Sequence, residues 1–197
     1  MKFKPLVLFA FALLLMPVSL AEEKFDEILF WSEFPQEADW NALNDKLVQE
    51  NFSINIYVAS SSPEEYAAWQ EKINPLSNIE VNGVWPTLPL DKGYWFSGFL
   101  EKEDIDKLDA FRGIDMKIDV EAPFPGAGTK NGSWWFLRQS LKKGKNSGYL
   151  EEKMQSLAND SRVIVSSFPL PDFMLIRHGF YSGADVANSY MFYTSFF

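Results

Sequence analysis

The chain carries two carboxylates, Asp119 and Glu121, at the end of a strictly alternating stretch, Ile114–Pro125, which reads I-D-M-K-I-D-V-E-A-P-F-P. Residues two apart on a strand point the same way, about 6.5–7 Å from each other. If Ile118 and Val120 pack against helices, Asp119 and Glu121 face the opposite side together. Two neighbouring carboxylates push one pKa up, which suits a general acid at neutral pH. Cleavage of a glycosidic bond needs such a pair, one proton donor and one base or stabiliser. The plainer alternatives are a solvated strand end, or a salt bridge from Asp119 to Lys117 or Arg162.

Other groups fit the same rim. Glu33 follows the first apolar run. Trp85, Tyr94 and Trp95 offer flat faces on which sugar rings stack at little entropic cost, and equally could plug the mouth of a barrel. Trp134 and Trp135 follow the Gly-rich turn after Glu121. Tyr193 alternates with Met191, so its phenol is a candidate interior donor, with core packing as the alternative. His178 falls near a helix end, where a cation suits the dipole, and reads as structural.

The elements that must hold these groups alternate. Glu27–Trp31 reads as a strand, and Glu37–Glu50 as a helix with Trp40, Leu43, Leu47 and Val48 at helical spacing. Ser53–Ala59 is a second strand. Ser62 then suits an N-cap, Pro63 the first helical position and Glu65 the return arm of a capping box. Asn78–Val84 is a third strand, followed by an aromatic connection, Trp85–Phe99. Glu101–Phe111 reads as a helix capped by Gly113, and the acid-tipped fourth strand follows. Ser133–Leu141 and Tyr149–Leu157 read as helical pieces, Arg162–Ser166 as a fifth strand, Asp172–His178 as a short helix capped by Gly179, and Tyr190–Ser195 as a sixth strand.

No hairpin interrupts this order, so a parallel sheet with helices outside is expected. The absence of a Gly-rich phosphate loop after the first strand disfavours a nucleotide-binding doubly wound sheet. Acids and aromatics gathered after several strands favour a TIM-barrel-like α/β fold. Only about six strands are legible, and a full barrel takes roughly 250 residues. The expected domain, residues 22–197, is therefore an incomplete barrel, with C-terminal truncation as one account of the missing strands. The alternatives are a six-strand domain in its own right and a barrel whose remaining strands come from a partner.

Composition narrows the function classes. The chain has 197 residues, is 47% hydrophobic and 16% aromatic, and carries a net charge of −9. Such acidity disfavours a nucleic-acid surface, which needs clustered Lys and Arg. With no cysteine and one histidine, disulfides, thiolate sites and two-imidazole metal centres are excluded. No metal or cofactor is expected. A metal-assisted hydrolase using Glu33, Asp119 and Glu121 around Mg²⁺ or Ca²⁺ has no supporting ligand spacing.

Met1–Ala21 has the pattern of a secretory signal, with an uncleaved membrane anchor as the alternative. Lysines lie within Met1–Lys4, Pro5–Val18 is apolar, and Ser19-Leu20-Ala21 supplies small residues for cleavage. Secretion, or residence in the cell envelope or periplasm, is expected, with no stable membrane span after cleavage. The N-x-S sequons at Asn51, Asn131 and Asn159 are compatible with export.

The D-V-E tip preceded by G-I-D resembles the fourth-strand signature of chitinase-like (β/α)8 glycoside hydrolases. That resemblance implies Glu121 as proton donor and Asp119 as the residue orienting it and the substrate. The family has a further Asp where this chain has Lys117, a departure that bears on the substrate-assisted mechanism. The set V-W-P…G-Y-W-F-S-G-F, I-D-V-E-A-P and Y-M-F-Y-T-S also resembles exported barrel proteins. The expected function is thus glycoside-hydrolase-like action on a polysaccharide, or, alternatively, non-catalytic binding of a saccharide or the envelope, or an inactive barrel fragment.

Overall fold

A computed structural model describes residues 29–121, 141–168 and 170–190. The expected signal, Trp134, Trp135, Tyr193, Asn131 and nearly all of the Ser133–Leu141 helical piece lie outside the described residues. Among the described residues, six strands form one sheet in the order β1-β2-β3-β4-β5-β6, every pair parallel. They are β1 (Leu29–Ser32), β2 (Ile54–Ser60), β3 (Ile79–Pro86), β4 (Met116–Asp119), β5 (Val163–Ser167) and β6 (Ala187–Tyr190). The helices are α1 (Trp40–Gln49), α2 (Pro63–Ile73), α3 (Lys102–Ile105), α4 (Ser147–Ala158) and α5 (Asp172–His178). The sheet curls into a half-barrel, so the chain has the expected α/β, TIM-barrel-like architecture in incomplete form.

Alternation sorts the side chains. Ile56 and Val58 of β2, Val84 of β3, Met116 and Ile118 of β4, and Val163 and Val165 of β5 join one apolar cluster with Leu150, Met154 and Leu157 of α4. This is the convex, helix-covered side. Each fully buried aliphatic side chain there is worth about 1.5–3 kcal/mol relative to exposure. Parallel register puts Tyr57 opposite Gly83 and Ala59 opposite Trp85, while Lys117 pairs with Ile164 and Asp119 with Ser166. Those residues line the concave side. Gly83 is needed there, because a Cβ would lie 2.1 Å from Tyr57 Cε1.

Local chemistry sets the ends. Asp39 caps α1 by accepting from Ala42 N at 3.0 Å, and the Trp40 indole N–H donates to Pro35 O at 2.9 Å. The helix therefore starts at Trp40, later than the expected Glu37. Ser62 caps α2 by accepting from Glu65 N at 3.3 Å. The Glu65 carboxylate returns to Ser61, accepting from its N at 2.7 Å and its Oγ at 2.8 Å, one residue earlier than a simple capping box. The expected helix Glu101–Phe111 is helical only to Ile105, then tightens into a 3₁₀ stretch, Asp106–Phe111. Asp104, Asp106 and Asp109 on these turns pair with lysines and an arginine rather than extending a regular apolar stripe. The sixth strand begins at Ala187, three residues before expected, and the remainder of the expected span lies outside the described residues. Gly179 closes α5 at φ 90°, as its position suggests. Among the described residues, no helix is long and apolar enough to cross a membrane.

Candidate functional site

The site is built on β4, and its setting explains its chemistry. All four β4 residues are buried, on both faces. Beyond Asp119 the strand is flanked on one side by β5, where Val120 N donates to Ser166 O at 2.8 Å. On the other side the aromatic connection folds back. Phe96 N donates to Asp119 O at 3.1 Å, and Glu121 N donates to Phe96 O at 3.0 Å. Phe96 thereby stands where β3 would continue, and both acids are fixed by backbone bonds.

On the concave face, Lys117 is fully buried and ion-paired with Asp119, which is 1% exposed. The alternative partner Arg162 instead donates its backbone N–H to Asp115 at 2.9 Å. The Lys117 ammonium lies 3.6 Å from the centre of the Trp85 ring and 5.0 Å from that of Trp31. Trp85 stacks on Trp95 with centroids 4.7 Å apart and planes 13° apart, and Tyr94 meets Trp95 edge-on at 4.4 Å. Ser166 and Trp85 aim their polar groups at Asp119 and favour its ionised form. Asp119 Oδ2 nevertheless completes no hydrogen bond of good geometry.

Burial dominates the electrostatics. It pushes Asp119 up and Lys117 down, and each partner's charge opposes the shift of the other. Glu121 is pushed up to about 8, by burial first and by the Asp119 charge second, with Lys117 opposing. Glu33 is raised for the same reasons. Tyr94 rises to about 12, by burial and then by the charges of Glu33 and Glu65. One lysine thus serves three carboxylates, and the site sheds negative charge by keeping a proton on Glu121 at neutral pH.

A cleft of ≈ 460 Å³ opens at the C-terminal ends of β1–β3, lined by Glu33, Ser61, Glu65, Trp69, Thr87 and Tyr94 among others. A second cleft, ≈ 320 Å³, lies at the opposite ends of β2 and β3 with Glu80 as its one ionisable lining residue. Only the first adjoins the acids of β4, through Glu33.

The structure brings Asp119, Glu121, Glu33, Trp85, Tyr94 and Trp95 to one end of the sheet. Trp85 belongs to β3 itself, not to the connection after it. His178 is buried at the end of α5, tilted against Phe99 at 5.8 Å. Lys117, Trp31 and Ser166 were not singled out as site residues. The first could have been, since K-I-D-V-E puts the lysine on the same strand face as both acids. Trp31 and Ser166 became legible only through register. Among the described residues no three His, Cys, Asp or Glu side chains are grouped to hold a metal ion. Lys117 supplies the positive charge between the carboxylates. No protein-family model, curated protein or solved structure matches the chain.

Proposed function

We propose that the protein is an exported, glycoside-hydrolase-like protein acting on a polysaccharide, with Glu121 as general acid and Asp119 as its partner. The observation that carries the reading is Glu121 itself. It is 4% exposed, its carboxyl is raised to about 8, and it adjoins Asp119, the ion-pair partner of Lys117, at the C-terminal end of a barrel strand. A neutral carboxylic acid can protonate a glycosidic oxygen at pH 7. Asp119, held by Lys117, orients the reacting sugar, while Trp95 and Tyr94 offer it flat faces. Glu33 binds sugar hydroxyls from the adjoining cleft. The leader-like Met1–Ala21 supports export to the envelope or beyond.

The test is release of reducing ends from soluble polysaccharide fragments by residues 22–197. Glu121→Gln removes turnover and keeps binding. An unchanged rate in that variant would sink the assignment.

A second reading, non-catalytic saccharide binding, is favoured by Lys117. It already neutralises the carboxylate that would assist bond cleavage. In that case the wild type releases no reducing ends, a glycan still raises the unfolding temperature, and Trp95→Ala removes that rise while Glu121→Gln does not. A partner that supplies further strands would pair with β1 or β6, the outer strands of the sheet among the described residues, and is tested by co-purification from the native source.

A further inference from the structure

We propose that Lys117 is a nucleophilic amine that captures an aldehyde or ketone as an imine on the concave face of β4. This activity goes beyond the saccharide reading and does not depend on it.

The geometry supplies what imine formation needs. The amine is removed from water, 0% exposed, and pressed against the face of Trp85. Desolvated lysines lose their proton readily, which is why such lysines serve as nucleophiles. A base is in direct contact, because Lys117 donates to Asp119 Oδ1. An acid lies further along the same strand face, since Glu121 interacts with Lys117 through space and holds its proton at neutral pH. Burial lowers the lysine's pKa in the same direction. Displacement of the Trp31 ring would admit a carbonyl compound to the amine. Its ring covers Lys117 at 5.0 Å, yet it is 42% exposed on an edge strand. A purely structural ion pair needs no acid beside it and no half-exposed cover.

The step balances. Lys117 passes its ammonium proton to Asp119 and becomes an amine. Its lone pair forms the N–C bond as the carbonyl π pair moves to oxygen, which takes the proton of Glu121. The nitrogen returns a proton to Glu121, which delivers it to the hydroxyl. The C–O bond breaks, water leaves, and an iminium forms opposite the Glu121 carboxylate. No oxidant or reductant is consumed. The substrate class is a small carbonyl compound, with hydroxylated ones best suited to the polar groups of Asp119 and Ser166.

The experiment treats the folded protein with glycolaldehyde and cyanoborohydride at neutral pH and maps the reduced adducts by peptide mass spectrometry. Lys145, whose side chain is 56% exposed, is the internal reference. Lys117 is expected to be labelled faster than Lys145 by about a hundredfold or more, the lower range of what a positioned acid and base contribute. Asp119→Asn lowers that ratio at least tenfold, read within one molecule so that expression and folding yield do not enter. Labelling of Lys117 no faster than Lys145, or only after the protein is unfolded in urea, overturns the proposal.

Discussion

Lys117 lies with its ammonium 3.6 Å from the ring centre of Trp85, which is itself stacked on Trp95. A charge is therefore held inside the half-barrel by one carboxylate and an aromatic face rather than by water. Desolvation of such a pair costs several kcal/mol per ion, and attraction between the partners offsets it only while both remain. Lys117→Met is expected to destabilise the protein by about 3–5 kcal/mol, because it strands Asp119. Adding Asp119→Leu should recover most of that loss. Urea denaturation of the two single variants and the double variant measures the coupling, and additive losses would count against the pair.

Glu121 links stability to pH. Its folded carboxyl titrates near 8, above the 4.5 of an unperturbed glutamate. Between those values the folded state holds a proton that the unfolded state has released, so stability falls as pH rises through the window. Glu33 adds a slope of the same sign. Unfolding temperature measured from pH 5 to pH 8.5 should decline and then level off, and Glu121→Gln should flatten the decline. A profile that rises with pH would contradict a protonated Glu121.

The same proton sets the activity profile. If Glu121 donates it, the rate on a polysaccharide should fall above about pH 8, as the acid is lost. Initial rates across pH 6–9.5 decide this. A rate that climbs steadily over that range would assign the chemistry elsewhere.

Gly83 is set by Tyr57. A methyl at Gly83 would lie 2.1 Å from the Tyr57 ring. Gly83→Ala should therefore cost about 1–3 kcal/mol, the usual range for overpacking a filled interior. Tyr57→Leu in the same chain should restore part of it. The coupling between the two substitutions, measured by denaturation, is the readout.

Ser62 offers a local test of helix capping beside the cleft. Ser62→Ala removes the acceptor for Glu65 N and should cost about 1 kcal/mol. It should leave Lys117 labelling as it is, which thermal melts and the labelling assay report together.

The strands and helices were legible where periodicity and caps agreed. Pro63 after Ser62, Gly179 after His178, and the alternation of Met116–Asp119 all place their elements correctly. That Ile118 packs with the helices while Asp119 and Glu121 take the other side also followed from alternation alone. What alternation does not carry is depth. The polar face of β4 reads like a solvated edge, yet Lys117 and Asp119 are buried, because curvature brings β1 and β3 aromatics over them. Ser166 faces Asp119 by cross-strand register between two distant strands of the sequence, which no local pattern encodes. The 3₁₀ stretch after Ile105 was missed because its aspartates are spaced for ion pairs that form only with α4 in place.

Phe96 accepts from Glu121 and donates to Asp119, so a loop residue and a strand end share one pair of backbone bonds. The aromatic connection cannot lift away without freeing the tip of β4, and the tip cannot fray without unfastening the connection. The amides of Phe96 and Glu121 should exchange with deuterium at one common rate, as a single opening unit. A ligand gripping Tyr94 or Trp95 would then slow exchange at Glu121 without touching it. The rim aromatics and the tip of β4 are in that sense one mechanical unit.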